Sequence, residues 1–240
     1  MDATRITNHA CHCFLGAMLL TGCEEAAVDS TFAASPEAPS AIDSQGFCDA
    51  DPGTGSWLEN ADFCDDFGDG TDTRWEPQGG LWEVTDNEYV GTGVVDVCME
   101  SGFSSNETLI RDLRARDVEL RVEMRSQQRV DKGIVLRSTS PTDQIELNFR
   151  ADPFNDLVVQ EIAACQFILL EFVAQIPHLV GQTIDVRAKL IGDLLCVWID
   201  GELVLSRRFP FQATSGSMGL AAIRHGGVTA FDNVQVDVLN

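Results

Sequence analysis

From Phe47 onward, short segments with alternating apolar and polar residues are separated by turn-forming residues. The segment DQIELNFR, Asp143–Arg150, shows the pattern well, because the apolar residues Ile145, Leu147 and Phe149 occupy every second position. Alternation of this kind predicts a half-buried β-strand with one polar face. The question for function is whether that polar face binds a ligand, performs chemistry or only meets solvent.

A second segment, DVELRVEMRS, alternates in the same way and puts Glu119, Arg121 and Glu123 on its polar side. Turn signals occur at Asp86-Asn87, Ser140–Asp143, Gly192-Asp193 and Asp200-Gly201. Many short strands without a long helical period predict an all-β chain, folded as an antiparallel two-sheet sandwich. We find no internal repeat.

Composition narrows the possible partners. The chain has 240 residues, of which 44% are hydrophobic, and a formal net charge of −22. The hydrophobic content is sufficient for a core, so global disorder is not expected. A polyanion repels phosphate backbones and anionic lipid surfaces, which argues against nucleic acid and against direct membrane binding. The acidity serves solubility, or some carboxylates hold a hard cation such as calcium.

The N-terminal segment has the features of an export signal. Arg5 precedes the apolar stretch Ala10–Leu20, which is too short to span a bilayer. This stretch ends in Leu-Thr-Gly-Cys, Leu20–Cys23, which resembles the lipobox of bacterial lipoprotein signal peptides. The resemblance implies that Cys23 is acylated and begins the mature chain. The alternative is an ordinary secretory signal, and both interpretations predict an exported protein in which disulfides can form.

These features predict three segments: a signal peptide at 1–22, a lipidated Cys23 with a flexible tether at 23–46, and a β domain at 47–240. The tether is rich in Ala, Ser, Pro and acidic residues and has no periodicity. The membrane would be contacted only through the lipid. Glu24 follows the cysteine, and by resemblance to enterobacterial sorting this favours the outer membrane of the cell envelope.

The order of the strand-like segments resembles a concanavalin A-like jelly roll over Phe63–Val236. The pieces WIDGELV and GLAAIRHGGVTAFDNVQV carry most of the resemblance. Laminin-G-like modules and 3-keto-disaccharide hydrolases are the nearest variants. The resemblance implies two curved sheets and a concave face that often holds a glycan.

Glucanases of this fold have a signature strand, Glu-Ile-Asp-Ile followed by a second glutamate, and retaining hydrolysis needs two of these carboxyl groups. On the present strand, Glu146, Asn148 and Arg150 fall on the three acidic positions. Because an arginine cannot protonate a leaving oxygen at neutral pH, this chemistry is not predicted. A 3-keto-disaccharide hydrolase-like activity stays open as an alternative, although His178 and His225 follow no metal-ligand spacing.

The main hypothesis is therefore carbohydrate binding without catalysis. Mixed acids, bases and amides suit sugar hydroxyls, which both donate and accept hydrogen bonds, and Trp198 has the parity to stack on a sugar ring. The candidate residues are Glu119, Arg121, Glu123, Arg125, Arg137, Glu146, Asn148, Arg150, Asp185, Arg187, Lys189 and Trp198. The alternatives are a solvated face of cross-strand ion pairs with Trp198 in the core, and a protein-binding or structural module, which should show an apolar patch at a sheet edge.

The resemblance also implies a structural calcium ion, for which the segment FDNVQV supplies Asp232. A backbone oxygen near Asn87 would be a second ligand, and Asp66 of the segment CDDFGDGTD a third. This segment is not an EF-hand loop, because counting from Asp65 puts Phe67 where an oxygen ligand belongs.

The eight cysteines include no CxxC pair, and the four histidines are scattered, so zinc is not indicated. Cys48 and Cys64 flank a Gly/Pro loop and are the first predicted disulfide. Cys98 and Cys165 are the second, which leaves Cys196 unpaired.

Overall fold

The computed structural model describes Cys48 and residues 61–94, 105–127, 130–151, 153–173, 176, 180–223 and 227–239. All of these belong to one compact unit, Ser40–Asn240. The predicted signal peptide, Cys23, the whole tether, Cys98 and the four histidines lie outside the described residues. Within the described part, no helix is long and apolar enough to cross a membrane.

The described residues form fifteen β-strands. In chain order they are β1 Phe63–Asp65, β2 Trp75–Pro77, β3 Leu81–Thr85, β4 Glu88–Thr92, β5 Ser105–Ala115, β6 Val118–Ser126, β7 Lys132–Ser140, β8 Asp143–Arg150, β9 Asp156–Ala163, β10 Gln166–Val173, β11 Thr183–Ile191, β12 Leu194–Ile199, β13 Glu202–Arg208, β14 Gly216–Ile223 and β15 Val228–Val238.

The strands form two sheets. The eight-stranded sheet has the order β13-β12-β11-β6-β15-β4-β3, with β1 also paired to β15. The seven-stranded sheet has the order β10-β9-β8-β7-β14-β5-β2. Neighbouring strands pair antiparallel in both sheets. The predicted all-β, two-sheet jelly-roll sandwich is confirmed.

The core lies between the two sheets and is supplied by alternate residues of each strand. Leu120 and Val122 of β6 pack in one cluster with Leu147 of β8 and Leu220 of β14. The predicted boundary of β8 agrees with the structure. The hairpin turn predicted between β3 and β4 is also confirmed, because Asp86 and Asn87 have φ values of 53° and 62°.

Two strands with the same sequence pattern lie in different sheets. β6 belongs to the eight-stranded sheet and β8 to the seven-stranded sheet. Their polar sides therefore point away from the core in opposite directions. We call the two surfaces turned away from the core the outer face of the eight-stranded sheet and the outer face of the seven-stranded sheet. The expectation that the polar residues of both strands share one face is wrong.

The disulfide prediction needs a second correction. Cys48 is bonded to Cys196, at a sequence separation of 148, whereas Cys64 is free and exposed. The predicted Cys48–Cys64 pair and the unpaired Cys196 are therefore wrong. Cys165 is disulfide-bonded, and its predicted partner Cys98 lies outside the described residues, so that pairing stays a prediction.

Candidate functional site

The predicted site residues on the outer face of the eight-stranded sheet pair with one another. Arg121 of β6 forms an ion pair with Asp185 of β11. The Arg187 guanidinium donates to Glu119 at 2.6 Å, and the Lys189 ammonium lies 3.6 Å from the same carboxylate. This outer face therefore carries a ladder of cross-strand ion pairs, as in the solvated-face alternative, and its charged groups are already matched.

Glu123 of β6 and Asp232 of β15 are cross-strand neighbours on the same outer face. Burial raises the pKa of Asp232 to about 6, the backbone N–H of Asn233 lowers it, and the carboxylates of Glu123, Glu88 and Asp66 raise it. Arg125 of β6 forms an ion pair with Glu88 of β4.

Trp198 does point away from the core, but it is only 3% exposed. It packs in a small cluster with Leu194, Cys48 and Cys196, and the Arg187 guanidinium lies 4.7 Å from the centre of its ring. Both faces of the indole are therefore enclosed by protein, and the expectation of an exposed sugar-stacking platform at Trp198 is wrong.

Arg137 is also placed differently from the prediction. Its side chain is buried and donates to three backbone carbonyls, those of Arg116 at 2.7 Å, Gly192 at 2.7 Å and Ala213 at 3.1 Å. These contacts bind loops at one end of the sandwich together. Arg137 therefore has a structural role.

The outer face of the seven-stranded sheet brings together a different set of polar side chains. Glu146 and Asn148 of β8 alternate with the core residues of that strand, and Gln160 of β9 is the cross-strand partner of Glu146. Glu107 of β5 lies on the same face, in the register row that runs through Ala221 and Gly133 to Asn148. We call Glu107, Gln144, Glu146, Asn148 and Gln160 the polar cluster.

All members of the polar cluster are buried, although they face away from the core. The Gln160 amide donates to Glu146 at 2.7 Å. Several other atoms have no hydrogen-bond partner: both carboxylate oxygens of Glu107, both amide atoms of Gln144, and the Asn148 Oδ1. Buried polar atoms are nearly always hydrogen-bonded in folded proteins, so such a concentration indicates a surface that is completed by a ligand or by water.

Glu107 has a strongly perturbed carboxyl group. Burial raises its pKa to about 8, the Glu146 charge raises it further, and the Gln144 amide lowers it without reaching hydrogen-bond geometry. Glu107 therefore carries its proton at neutral pH. Sequence reasoning missed this residue, because Asn106-Glu107-Thr108 are three consecutive polar residues that are all buried and give no alternation signal.

A cavity of about 380 Å³ adjoins the cluster at one end of β8. Gln144 and Ile162 line its wall, together with Arg114 and the segment 212–215. The Glu161 carboxylate holds this segment in place by accepting the backbone N–H groups of Gln212 and Ala213. Gln144 belongs both to the cavity wall and to the polar cluster, so the cavity and the cluster are adjacent.

An apolar rim borders this site on the side of β10, the edge strand of the seven-stranded sheet. Leu169 and Phe172 are 51% and 49% exposed, and the cross-strand partners of these residues are Gln160 and Val158. Phe154, in the β8–β9 loop, is also exposed.

Arg150 connects two of the rim side chains. Its guanidinium lies 4.3 Å from the ring centre of Phe154 and 5.2 Å from that of Phe172. It also makes two hydrogen bonds with Asp156, at 2.7 and 2.5 Å. Arg150 thus positions aromatic rings beside the polar cluster, a different role from the direct ligand contact predicted for it.

The donors proposed for calcium do not form a recognisable site. In the ranges that the structure describes, no group of three or more His, Cys, Asp or Glu side chains is placed to hold a metal. Asp66 accepts the backbone N–H of Gly68, Asp232 accepts that of Asn233, and Asn87 lies in the β3–β4 turn. Calcium stays a prediction from resemblance.

Comparison of sequences gives no relatives: no family model matches the chain, and no curated protein matches it significantly. Comparison of structures does give neighbours. A carbohydrate-binding module from Bacillus subtilis superposes with a TM-score of 0.58 at 15% identity, covering 69% of this chain and 96% of the module.

A protein of unknown function with a galectin-like fold, also from Bacillus subtilis, gives a TM-score of 0.57 at 10% identity, over 73% of this chain and 94% of that one. A lichenase from a mouse hindgut metagenome gives 0.56 at 13% identity, over 74% of this chain and 99% of that one. At these identities the likeness concerns the fold alone. The chain therefore has a two-sheet jelly-roll fold, similar to that of concanavalin A-like domains.

Proposed function

We propose that this protein binds carbohydrate, without catalysis, on the outer face of the seven-stranded sheet. The observation that carries the proposal is the polar cluster, in which Glu107, Gln144 and Asn148 have buried hydrogen-bonding atoms without partners. Sugar hydroxyls both donate and accept, so a glycan can satisfy such a mixed set. The structural neighbours support the proposal at the level of fold, because one of them is a carbohydrate-binding module.

The apolar rim fits the same ligand. Carbohydrate sites combine polar groups that fix orientation with apolar surface that contacts the C–H face of a sugar ring. Phe172 and Phe154 provide rings at the border of the cluster, and Leu169 extends the apolar surface along β10. The polar cluster and the apolar rim therefore lie on the same outer face of the seven-stranded sheet.

We further propose, from the lipobox resemblance, that the protein is exported and anchored through Cys23 in the cell envelope, with the outer membrane favoured. Radiolabelled palmitate fed to cells that express the chain should label it, and Cys23→Ala should abolish the labelling. Labelling that survives this substitution would overturn the proposal.

The binding proposal predicts different roles for two apolar edge residues. Phe172→Ala should weaken binding to a responsive polysaccharide about fivefold, because the ring contributes about 1 kcal/mol of contact. Leu203 lies on β13, the edge strand of the other sheet, and is similarly exposed. Leu203→Ala should leave binding unchanged. Affinity electrophoresis of the full chain in gels with single polysaccharides measures both.

The proposed site would be contradicted if Phe172→Ala and Leu203→Ala weakened polysaccharide binding equally, or if neither changed it. Both residues are exposed, so neither substitution should change stability by more than about 0.5 kcal/mol. Thermal unfolding of each variant checks that condition.

A protein-binding module is the second candidate, because the rim residues also form the apolar edge patch which that hypothesis requires. The two candidates differ in the part of the site that they use. Binding of a protein partner that pairs with β10, the edge strand of the described sheet, would be lost on Leu169→Pro, whereas binding of a glycan to the polar cluster would be weakened by Asn148→Ala. Asn148→Ala should reduce glycan affinity by about tenfold, the value of one hydrogen bond.

A further inference from the structure

Arg114, near the end of β5, is the one cationic side chain without a partner in the part of the chain that the structure describes. Each of the other lysines and arginines described there makes an ion pair or a hydrogen bond. Acidic residues outnumber basic ones by 38 to 16 in this chain, so an arginine that no carboxylate approaches is exceptional. Its exposed guanidinium is available to an anion from outside the protein.

Arg114 lines the cavity of about 380 Å³ that lies beside the polar cluster. A volume of this size is in the range of small-ligand sites, roughly 300 to 1,000 Å³. Thr214 and Ser215 line the same cavity and are exposed, and their hydroxyls make no hydrogen bond with the described residues. A hydroxyl both donates and accepts. The cavity therefore presents one guanidinium and two hydroxyls to a ligand.

Two buried charged side chains hold the segment 212–215 in the cavity wall. Glu161, which is 2% exposed, accepts the backbone N–H of Ala213 at 2.8 Å. Arg137, which is 3% exposed, donates to the carbonyl of the same residue at 3.1 Å. The backbone beside the two hydroxyls is thus fixed before any ligand arrives, which lowers the entropic cost of binding.

The carboxylates in the cavity wall are already bonded to protein donors. Asp143 and Glu161 are the two acidic residues that line the cavity. Glu161 accepts backbone N–H groups, and Asp143 accepts the hydroxyls of Ser140 and Thr142 at 2.7 and 2.9 Å. The Ser140 hydroxyl, above all, lowers the pKa of Asp143, so this group stays ionised at neutral pH. Since neither carboxylate is paired with Arg114, the guanidinium remains the charged group that a ligand can neutralise.

We propose that this cavity binds the anionic group of an acidic sugar, a carboxylate or a sulfate, so that the preferred glycan is an acidic polysaccharide. This inference rests on the proposed carbohydrate-binding function and adds a charged subsite beside the polar cluster. The planar fork of a guanidinium donates two parallel hydrogen bonds to the oxygens of such an anion. The hydroxyls of Thr214 and Ser215 match the hydroxyls of the same sugar, and Ile162 and Ala163 supply apolar wall.

The charge of the whole protein acts against this ligand at long range. A net charge of −22 repels an acidic polymer, so the preference for it must come from contact with Arg114. At 0.15 M salt the screening length is about 8 Å. Long-range repulsion is then largely screened, whereas a pair in direct contact within a cavity is screened much less.

The test is titration calorimetry of the full 240-residue chain at neutral pH and about 0.15 M salt. The ligands are hexamers of galacturonate, glucuronate and mannuronate, each beside its methyl ester, which keeps the backbone and removes the charge. A sulfated galactose hexamer is compared with the unsulfated one. We expect at least one acidic hexamer to bind about tenfold more tightly than its neutral counterpart, the value of one charge-assisted hydrogen bond. The pair that shows the difference identifies the anion as carboxylate or sulfate.

Two arginines that lie two positions apart provide matched variants. Arg114→Gln should remove the preference for the acidic hexamer and leave binding of the neutral one unchanged. Arg116→Gln removes the same charge from a side chain that is 72% exposed and lies outside the cavity wall, and it should keep the preference. Arg114→Lys should retain only part of it, because an ammonium cannot form the planar fork.

The possible outcomes separate the two proposals. Equal binding of every acidic hexamer and its neutral counterpart would overturn the acidic-glycan inference and leave carbohydrate binding intact. Loss of the preference in both Arg114→Gln and Arg116→Gln would assign it to overall charge and would also overturn the cavity site. No binding of any hexamer, acidic or neutral, would count against both proposals.

Discussion

Replacing Cys196 with alanine is expected to lower the free energy of unfolding by about 3 to 5 kcal/mol. The Cys48–Cys196 disulfide joins residues 148 positions apart. A cross-link over so long a loop removes much of the conformational freedom of the unfolded chain, and this is the main way in which disulfides stabilise proteins. The loss should be among the largest for any single side chain outside the main core.

Denaturant unfolding of the oxidised protein, followed by tryptophan fluorescence, measures this loss. Cys48→Ala should have the same effect as Cys196→Ala, and the double substitution should add little, because all three remove one bond. Cys64→Ser is the matched control, since Cys64 is free and exposed, and it should change stability by less than about 0.5 kcal/mol. Strong destabilisation by Cys64→Ser with none by Cys196→Ala would instead indicate the Cys48–Cys64 pairing.

This disulfide shows where inference from sequence fails. Cys48 and Cys64 are close in the chain and flank a Gly/Pro loop, and nearness in sequence is the only distance that a sequence supplies. In the structure, Cys196 lies on β12 and faces away from the core, in one cluster with Trp198. The parity of Trp198 is predicted correctly, but the contact of the distant Cys48 with this cluster leaves no trace in the local pattern.

The same limit applies to the candidate site. Alternation identifies the residues that share a face of one strand, and for β6 and β8 these predictions are correct. Alternation does not say which strands share a sheet, since this depends on pairing between distant segments. Glu119 and Glu146 were therefore assigned to one surface although their strands lie in different sheets.

Glu107 was missed for a further reason. Its contribution depends on β5 pairing with β14, and on the small residues Ala221 and Gly133 that separate it from β8. The glucanase signature concerns only carboxylates along one strand, here β8. A second carboxyl group that approaches from another strand can be found only once the sheet is assembled.

Glu107→Gln is expected to stabilise the protein increasingly as the pH rises from about 4.5 to about 8. The pKa of Glu107 is raised from 4.5 to about 8 in the folded protein, mainly by burial and then by the charge of Glu146. In this pH range the folded state holds a proton that the unfolded state has released. Each rise in pH therefore favours unfolding, by at most about 1.4 kcal/mol per pH unit.

Glutamine keeps the shape of the side chain and does not titrate, so the substitution removes this pH dependence. The difference in unfolding free energy between variant and parent should grow over the range and become constant above about pH 8. Its full size should be on the order of 4 kcal/mol, which corresponds to a difference in Tm of about 10 °C. Calorimetric unfolding of both proteins at half-unit pH steps measures the curve.

Taking the difference between the two proteins removes the contributions of other groups. Burial lowers the pKa of Lys132 to about 7 in the folded protein. Above this pH the unfolded state holds a proton on Lys132 that the folded state has released, so stability rises with pH. This contribution is the same in variant and parent and cancels in the difference. Glu83→Gln, on the exposed side of β3, removes one carboxylate from the surface and should change stability by less than about 0.5 kcal/mol.

A difference curve that stays flat from pH 4.5 to 8 would mean that Glu107 is ionised and stabilised in the folded protein. The polar cluster would then already contain the donors that we assign to a glycan, and the proposed site would lose its main support. A rising curve would mean instead that Glu107 carries its proton in the folded protein, which agrees with the absence of hydrogen-bond partners at its two carboxyl oxygens.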